Sequence, residues 1–146
     1  MSNPKEYLKQ VKLYNTHISN KLDEMDRLKD IVTKVTTSLS FDPVHGSGNQ
    51  DKLGNAVARI VDLQTEVNQA IDAYIDKKRE ICLVIDQIKD PDQLRVLYKR
   101  YFDDLTWEQI ACDMHMSYRN VCYIHGKALQ AVAKILERKE SLHLIS

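Results

Sequence analysis

Between Val11 and Leu39 the apolar residues fall at Val11, Tyr14, Ile18, Met25, Leu28, Val32, Val35 and Leu39. The steps alternate three and four, and Lys21 fills the single gap. Such steps average the roughly 3.5-residue repeat of a helix that buries one narrow stripe against another helix. This pattern predicts a long first helix running to about residue 39. Leu22, beside Lys21, is placed to cover the break.

The stretch SFDPVHGSGNQ, residues 40–50, gathers Pro43, Gly46 and Gly48 among small polar residues and should stop that helix. A second seam follows, again in steps of four and three: Leu53, Val57, Ile60, Gln64, Val67, Ile71, Tyr74, Lys78, Ile81, Ile85 and Ile88. Two seams of similar length joined by roughly ten residues fit a coiled-coil-like antiparallel helical hairpin, in which each stripe buries the other. A homodimer through either seam is the competing arrangement. Only four glycines and three prolines occur, too few and too clustered to punctuate a β-fold, so the whole chain should be all-α.

Asp90-Pro91-Asp92-Gln93 is a helix start. Asp90 can cap, Pro91 suits the first helical position, and Gln93 can reach back as a capping-box partner. The new helix carries Leu94, Leu97, Tyr98 and Tyr101 on one face and should end near Asp103 and Asp104. We therefore divide the chain into a hairpin arm, residues 1–89, and a C-terminal domain, residues 90–146.

Within that domain, LTWEQIACDMHMSYRNVCYIHGKAL, residues 105–129, repeats the capping logic. Thr106 caps a short helix from Trp107 to Met114 with Gln109 as its box partner, and its inner face is Ile110, Ala111 and Met114. Ser117 caps a second helix whose inner face is Val121, Ile124, Ala128, Val132 and Ile135. Two helices separated only by His115, Met116 and Ser117 must cross sharply, which is helix-turn-helix geometry. Ala111 is small where the second helix approaches, and Met116 can plug the space beneath the turn. His115 sits where such turns often need positive φ, a conformation that His tolerates better than most side chains.

The same stretch offers Cys112-x-x-His115 and Cys122-x-x-His125, residue types that ligate zinc. Their placement on a helix flank, in the turn and on adjacent sides of the second helix would require a distorted motif, so no metal is expected. His125 is expected instead to be partly buried and hydrogen-bonded within the domain. No cofactor is called for either. HGSG at 45–48 follows a Pro-containing turn instead of a strand and reads as a hairpin tip. No nucleophile and base stand at recognisable spacing, so the expectation is that the chain is not an enzyme. Trp107, Tyr101 and Phe102 have the spacing of core aromatics.

Charge excludes less than it localises. Twenty-one basic and 21 acidic residues cancel, so any polyanion must be met by a local patch. Residues 118–139 supply one, with Arg119, Lys127, Lys134, Arg138 and Lys139 against Glu137 alone. Three cysteines in no secretory-type spacing and an N-terminus without an apolar run point to a reduced, cytoplasmic protein. No stretch approaches the roughly 20 apolar residues of a membrane span.

The span from Leu94 to Leu136 resembles region 4 of bacterial sigma factors in its order of RYF, TWEQIA, a turn and a Ser-capped helix. The chain as a whole is similar to the phage-encoded ArpU/RinA-like late transcription regulators, in HGSGNQDKL, DLQTEVN, RYF, TWEQIA, MSYRNV and HGKAL. The resemblance implies sequence-specific binding to double-stranded promoter DNA and control of transcription, often of phage or prophage late genes. Sigma-like geometry further implies a possible contact with RNA polymerase. A helical interaction module docking on the polymerase or another partner, without DNA reading of its own, is the rival.

If the helix from Ser117 enters the major groove, the face opposite Val121, Ile124 and Ala128 meets DNA. Arg119 and Asn120 are the base-reading candidates, since Arg pairs bidentately with guanine and Asn with adenine, and Tyr123 lies beside them. Thr106, Trp107, Ser117, Tyr118, Lys127 and Gln130 are the candidates for phosphates or the groove edge, the two caps through free backbone N–H groups. Gly126 would admit a close approach.

Overall fold

The computed structural model describes residues 3–41 and 47–145. Among these residues five α-helices follow one another: α1 (Pro4–Phe41), α2 (Ser47–Ile85), α3 (Pro91–Leu97), α4 (Trp107–Met114) and α5 (Tyr118–Ile145). α3 runs on into a π-helical turn, Tyr98–Phe102. No strand occurs among the described residues, and the fold is all-α with two long N-terminal helices. No described helix is long and apolar enough to cross a membrane. α2 already begins at Ser47, so Gly48 and Asn49 are helical; the rest of the expected loop, 42–46, lies outside the described residues.

The chain forms two compact units whose limits fall inside the long helices. One comprises residues 14–73, the other residues up to Leu13 and from Tyr74 onward. Within the first, α1 and α2 run antiparallel: Lys21 Nζ meets Glu66 Oε2 at 3.2 Å, while Glu24, further along α1, meets Arg59, earlier in α2, also at 3.2 Å. The stripe expected of α1 is the one that turns inward. Ile18 and Met25 are buried, and Tyr14, Lys21, Leu28, Val32 and Val35 are half-buried. Leu39 is outside the residues whose side chains are described. Lys21 keeps its place in the seam because its stem can lie along the stripe while its ammonium reaches Glu66. That hydrogen bond is the chief cause holding the Glu66 carboxyl below its ordinary value. Leu22, expected to cover the gap, is instead 43% exposed.

α2 differs from its expected phase. Every second member of the stripe holds, at Leu53, Ile60, Val67, Tyr74, Ile81 and Ile88, but the residues between them are Ala56, Leu63, Ala70, Lys77 and Val84. Val57, Gln64, Ile71 and Lys78 are exposed. Rotating the helix by a fraction of a turn replaces the Gln64 amide with the fully buried Leu63, which spares an unpaired polar group in an apolar seam. It also turns the small Ala56 and Ala70 inward, Ala56 buried and Ala70 half-buried. Ile85 remains fully buried, inside the core of the second unit.

In that second unit the first turns of α1 (Leu8, Val11) and the end of α2 (Ile81, Val84, Ile85) pack with Ile88, Leu97 and Tyr101. α5 closes this core with Ala128, Val132, Ile135 and Leu136. A smaller core joins Val96 to Ile110, Ala111, Met114 and Val121, with Trp107, Met116 and Ile124 against it. α3 starts under an Asp90 cap that accepts from the N–H groups of Asp92 and Gln93, at 2.9 and 3.1 Å. The return bond expected from the Gln93 side chain is not formed. The end of this helix is wider than the α-helical pattern implied: Asp103 N–H donates to Tyr98 O at 3.1 Å, and Asp104 takes φ 54° to leave the turn. Tyr98 and Phe102 stack within this turn, their centroids 4.9 Å apart.

The phase of α2 is directly testable. Leu63→Ala should cost about 2–5 kcal/mol in urea denaturation, the cost of emptying a core site. Val57→Ala, at a position 45% exposed, should stay within about 0.5 kcal/mol. The opposite ranking would restore the expected stripe.

Candidate nucleic-acid interface

α4 and α5 are set by two caps and one left-handed residue. Thr106 and Gln109 form a reciprocal capping box: Gln109 N–H donates to Thr106 Oγ1 at 3.2 Å, and Thr106 N–H donates to Gln109 Oε1 at 2.9 Å. α4 ends at His115, whose φ 54° and ψ 45° place it in the left-handed region. There Met116 N–H returns to Ala111 O at 3.0 Å, satisfying one of the carbonyls a helix end leaves open. Ser117 then caps α5, its Oγ accepting from Asn120 N–H at 3.1 Å. The turn is thus three residues long, as the sequence pattern predicts. Behind it, Ala111, Met114 and Val121 are buried in one cluster, with Met116 half-buried against them.

Because Val121, Ala128 and Val132 commit one side of α5 to the core, the other side faces solvent. Thr106, Ser117, Tyr118, Arg119, Asn120, Tyr123, Lys127 and Gln130 are all exposed, Tyr123 by 63%. Asn120, Tyr123 and Lys127 are brought onto one face at helical steps of three and four. Two of these groups contact a neighbour on their own segment: Asn120 Nδ2 donates to Met116 Sδ at 3.4 Å, and the Lys127 ammonium sits 5.6 Å from the centre of the Tyr123 ring. Gly126 faces open space, with nothing within 4 Å of where a Cβ would stand.

Trp107 is placed differently from the other candidates. Its half-buried indole lies between the Arg100 guanidinium, 4.3 Å from the ring centre, and the His125 ring, met edge-on at 4.5 Å. Arg100 was not singled out from sequence. It also donates to Leu105 O at 3.0 Å, so it ties the π-helical turn to the start of α4. Its only sequence signal is its place in RYF. Lys99 from the same turn pairs with Asp113 on the outer side of α4 at 3.3 Å, which offsets one carboxylate near this surface.

The four residues with metal-ligand chemistry go separate ways. Cys112 is exposed on α4, His115 forms the turn, Cys122 is half-buried, and His125 is buried with Nε2 2.8 Å from Tyr101 Oη. Among the described residues no three His, Cys, Asp or Glu side chains converge as metal ligands would. Burial, followed by the positive charges of Lys5 and Arg100, lowers the His125 pKa to about 4. Burial raises the Tyr101 phenol to about 12, so it keeps its proton. A neutral imidazole protonated on Nδ1 can accept that proton's hydrogen bond at Nε2.

This pair makes stability depend on pH. Between pH 6.5, the ordinary value for His, and about 4, the unfolded chain takes up a proton that folded His125 refuses. The stability present above pH 6.5 is therefore lost as pH falls through this window. Thermal melts across this range should show a decline that is shallower in His125→Phe; equal slopes for the two proteins would refute a neutral buried imidazole.

No curated protein and no solved structure matches the chain. A family model does, across residues 34–135, a span that begins in α1, takes in every candidate residue described above and ends at Ile135 of α5. Since that span covers well over half of the chain, the protein belongs to the family described as protein of unknown function, DUF1492.

Proposed function

We propose that this protein is a sequence-specific, DNA-binding regulator of transcription, cytoplasmic and without enzymatic activity, that reads promoter DNA through the start of α5. One observation carries the reading. A capped helix follows a three-residue turn, packs one side into the core, and presents Arg119, Asn120, Tyr123 and Lys127 on the solvent side. That geometry suits insertion of a helix N-terminus into the major groove. Arg119 can take guanine O6 and N7, Asn120 can take adenine N6 and N7, and Lys127 can offset a phosphate. The N–H groups at the starts of α4 and α5 suit phosphate oxygens on the groove edge. The resemblance to ArpU/RinA-like regulators and sigma region 4 makes late genes of a phage or prophage the proposed targets, with RNA polymerase as a second partner.

Selection of binding sites from random duplexes tests this reading. The wild type should enrich one sequence, and Arg119→Ala should lose about 1–3 kcal/mol, roughly 5- to 150-fold in affinity, with relaxed preference at one base pair. No enrichment by the wild type, or unchanged preference in the variant, would overturn it.

Val57, Val61 and Ile71, exposed along α2 in the unit of residues 14–73, favour a second reading in which the hairpin docks on RNA polymerase and the C-terminal helices serve only as support. Purified polymerase should then be retained by the wild type and lost on Val57→Asp with Val61→Asp. Retention together with an absence of any DNA selection would favour this second reading over the first.

A further inference from the structure

A groove of about 550 Å³ runs along α5 on the side next to the junction of α2 and α3. Four cations line it: Lys89 from the junction and Lys127, Lys134 and Arg138 from α5, with the buried Ile88 and Ile135 beneath them. Its single carboxylate, Asp90, is committed to capping α3. Among the described residues none of the four cations is ion-paired. Four positive charges against the one carboxylate of Asp90 leave the groove with a net positive potential, and an anion in the groove lowers its energy.

The groove is continuous with the reading face. Residues four and seven apart return to nearly the same side of a helix, so Asn120, Lys127, Lys134 and Arg138 form one stripe along α5. At a rise of about 1.5 Å per residue, Asn120 and Arg138 stand roughly 27 Å apart, more than twice the ~12 Å width of the major groove. When the near end of the stripe enters the groove, the far end stands beyond its edge. What a duplex offers there is its phosphodiester backbone, which carries about one charge per 1.7 Å of axis.

We infer that Lys89, Lys134 and Arg138 bind the phosphate backbone of duplex DNA flanking the site read by the start of α5, with Lys127 joining the two contacts. This assignment rests on the DNA-reading function above. It makes affinity, but not base preference, the work of this groove, because phosphate contacts position a protein without reporting sequence.

The test is equilibrium binding of the full chain to its selected duplex over a range of salt concentrations. It compares the wild type, Lys89→Gln/Lys134→Gln/Arg138→Gln, and the charge-keeping Lys89→Arg/Lys134→Arg/Arg138→Lys. All three positions are exposed, so the substitutions leave the core intact. The neutral variant should lose roughly two to three units of the slope of log K against log salt, about 0.9 per phosphate contact, and weaken on all sequences alike. The charge-keeping variant should retain the slope. Trimming the duplex to the read site should weaken the wild type and leave the neutral variant nearly unaffected. An unchanged slope in the neutral variant, with sequence selection intact, overturns the groove assignment alone and points to an acidic protein partner for this surface. If the wild type binds no duplex, both the groove assignment and the DNA-reading function fall.

Discussion

The burial of one side of α5 is the constraint on which the C-terminal unit depends. Val121, Ala128, Val132, Ile135 and Leu136 give a single helix access to both cores of that unit, one shared with α1, α2 and α3 and the other with α3 and α4. A helix used in this way cannot rotate without moving apolar surface into water, at about 25 cal/mol for each Å² exposed. Its cations are therefore turned outward by the same packing that holds the core together. The position of Arg119, Asn120, Tyr123 and Lys127 is a consequence of where Val121 and Ala128 must go.

The parts of this fold legible in the sequence are those governed by one strong local rule. The caps at Thr106 and Ser117, the left-handed His115 and the inner faces of α4 and α5 follow from residue type and spacing alone. The stripe of α1 was legible even through Lys21, because its members keep the three-four step on both sides of that gap. α2 was ambiguous for a physical reason: Val57, Ile71 and Ile85 are as periodic as Ala56, Leu63 and Val84. Choosing between two adjoining stripes turns on whether Leu63 or the Gln64 amide faces the partner helix, and the structure buries Leu63. The π-helical turn at Tyr98–Phe102 was illegible, since one extra residue per turn leaves no mark on a pattern this short.

At the candidate interface the same division holds. Which residues face solvent could be read by taking the side opposite the core. What each side chain touches could not, because the contacts of Trp107 with Arg100 and His125 join elements that only folding brings together. Lys89 was invisible for a similar reason, as it belongs to the basic groove through the position of the α2–α3 junction beside α5. The chain as a whole is neutral, yet its C-terminal helix is not, and only that local imbalance bears on a polyanionic partner.

The contacts of Asn120 with Met116 and of Lys127 with Tyr123 carry a consequence for the entropy of recognition. A surface side chain that must be frozen when a complex forms gives up about 0.5–1.5 kcal/mol of rotameric freedom at that moment. Within the free protein a sulfur acceptor and an aromatic ring, each one turn back, already favour particular rotamers of these two side chains. In the proposed DNA-reading role, part of the selectivity of this surface would then reside in restraint imposed before any duplex arrives.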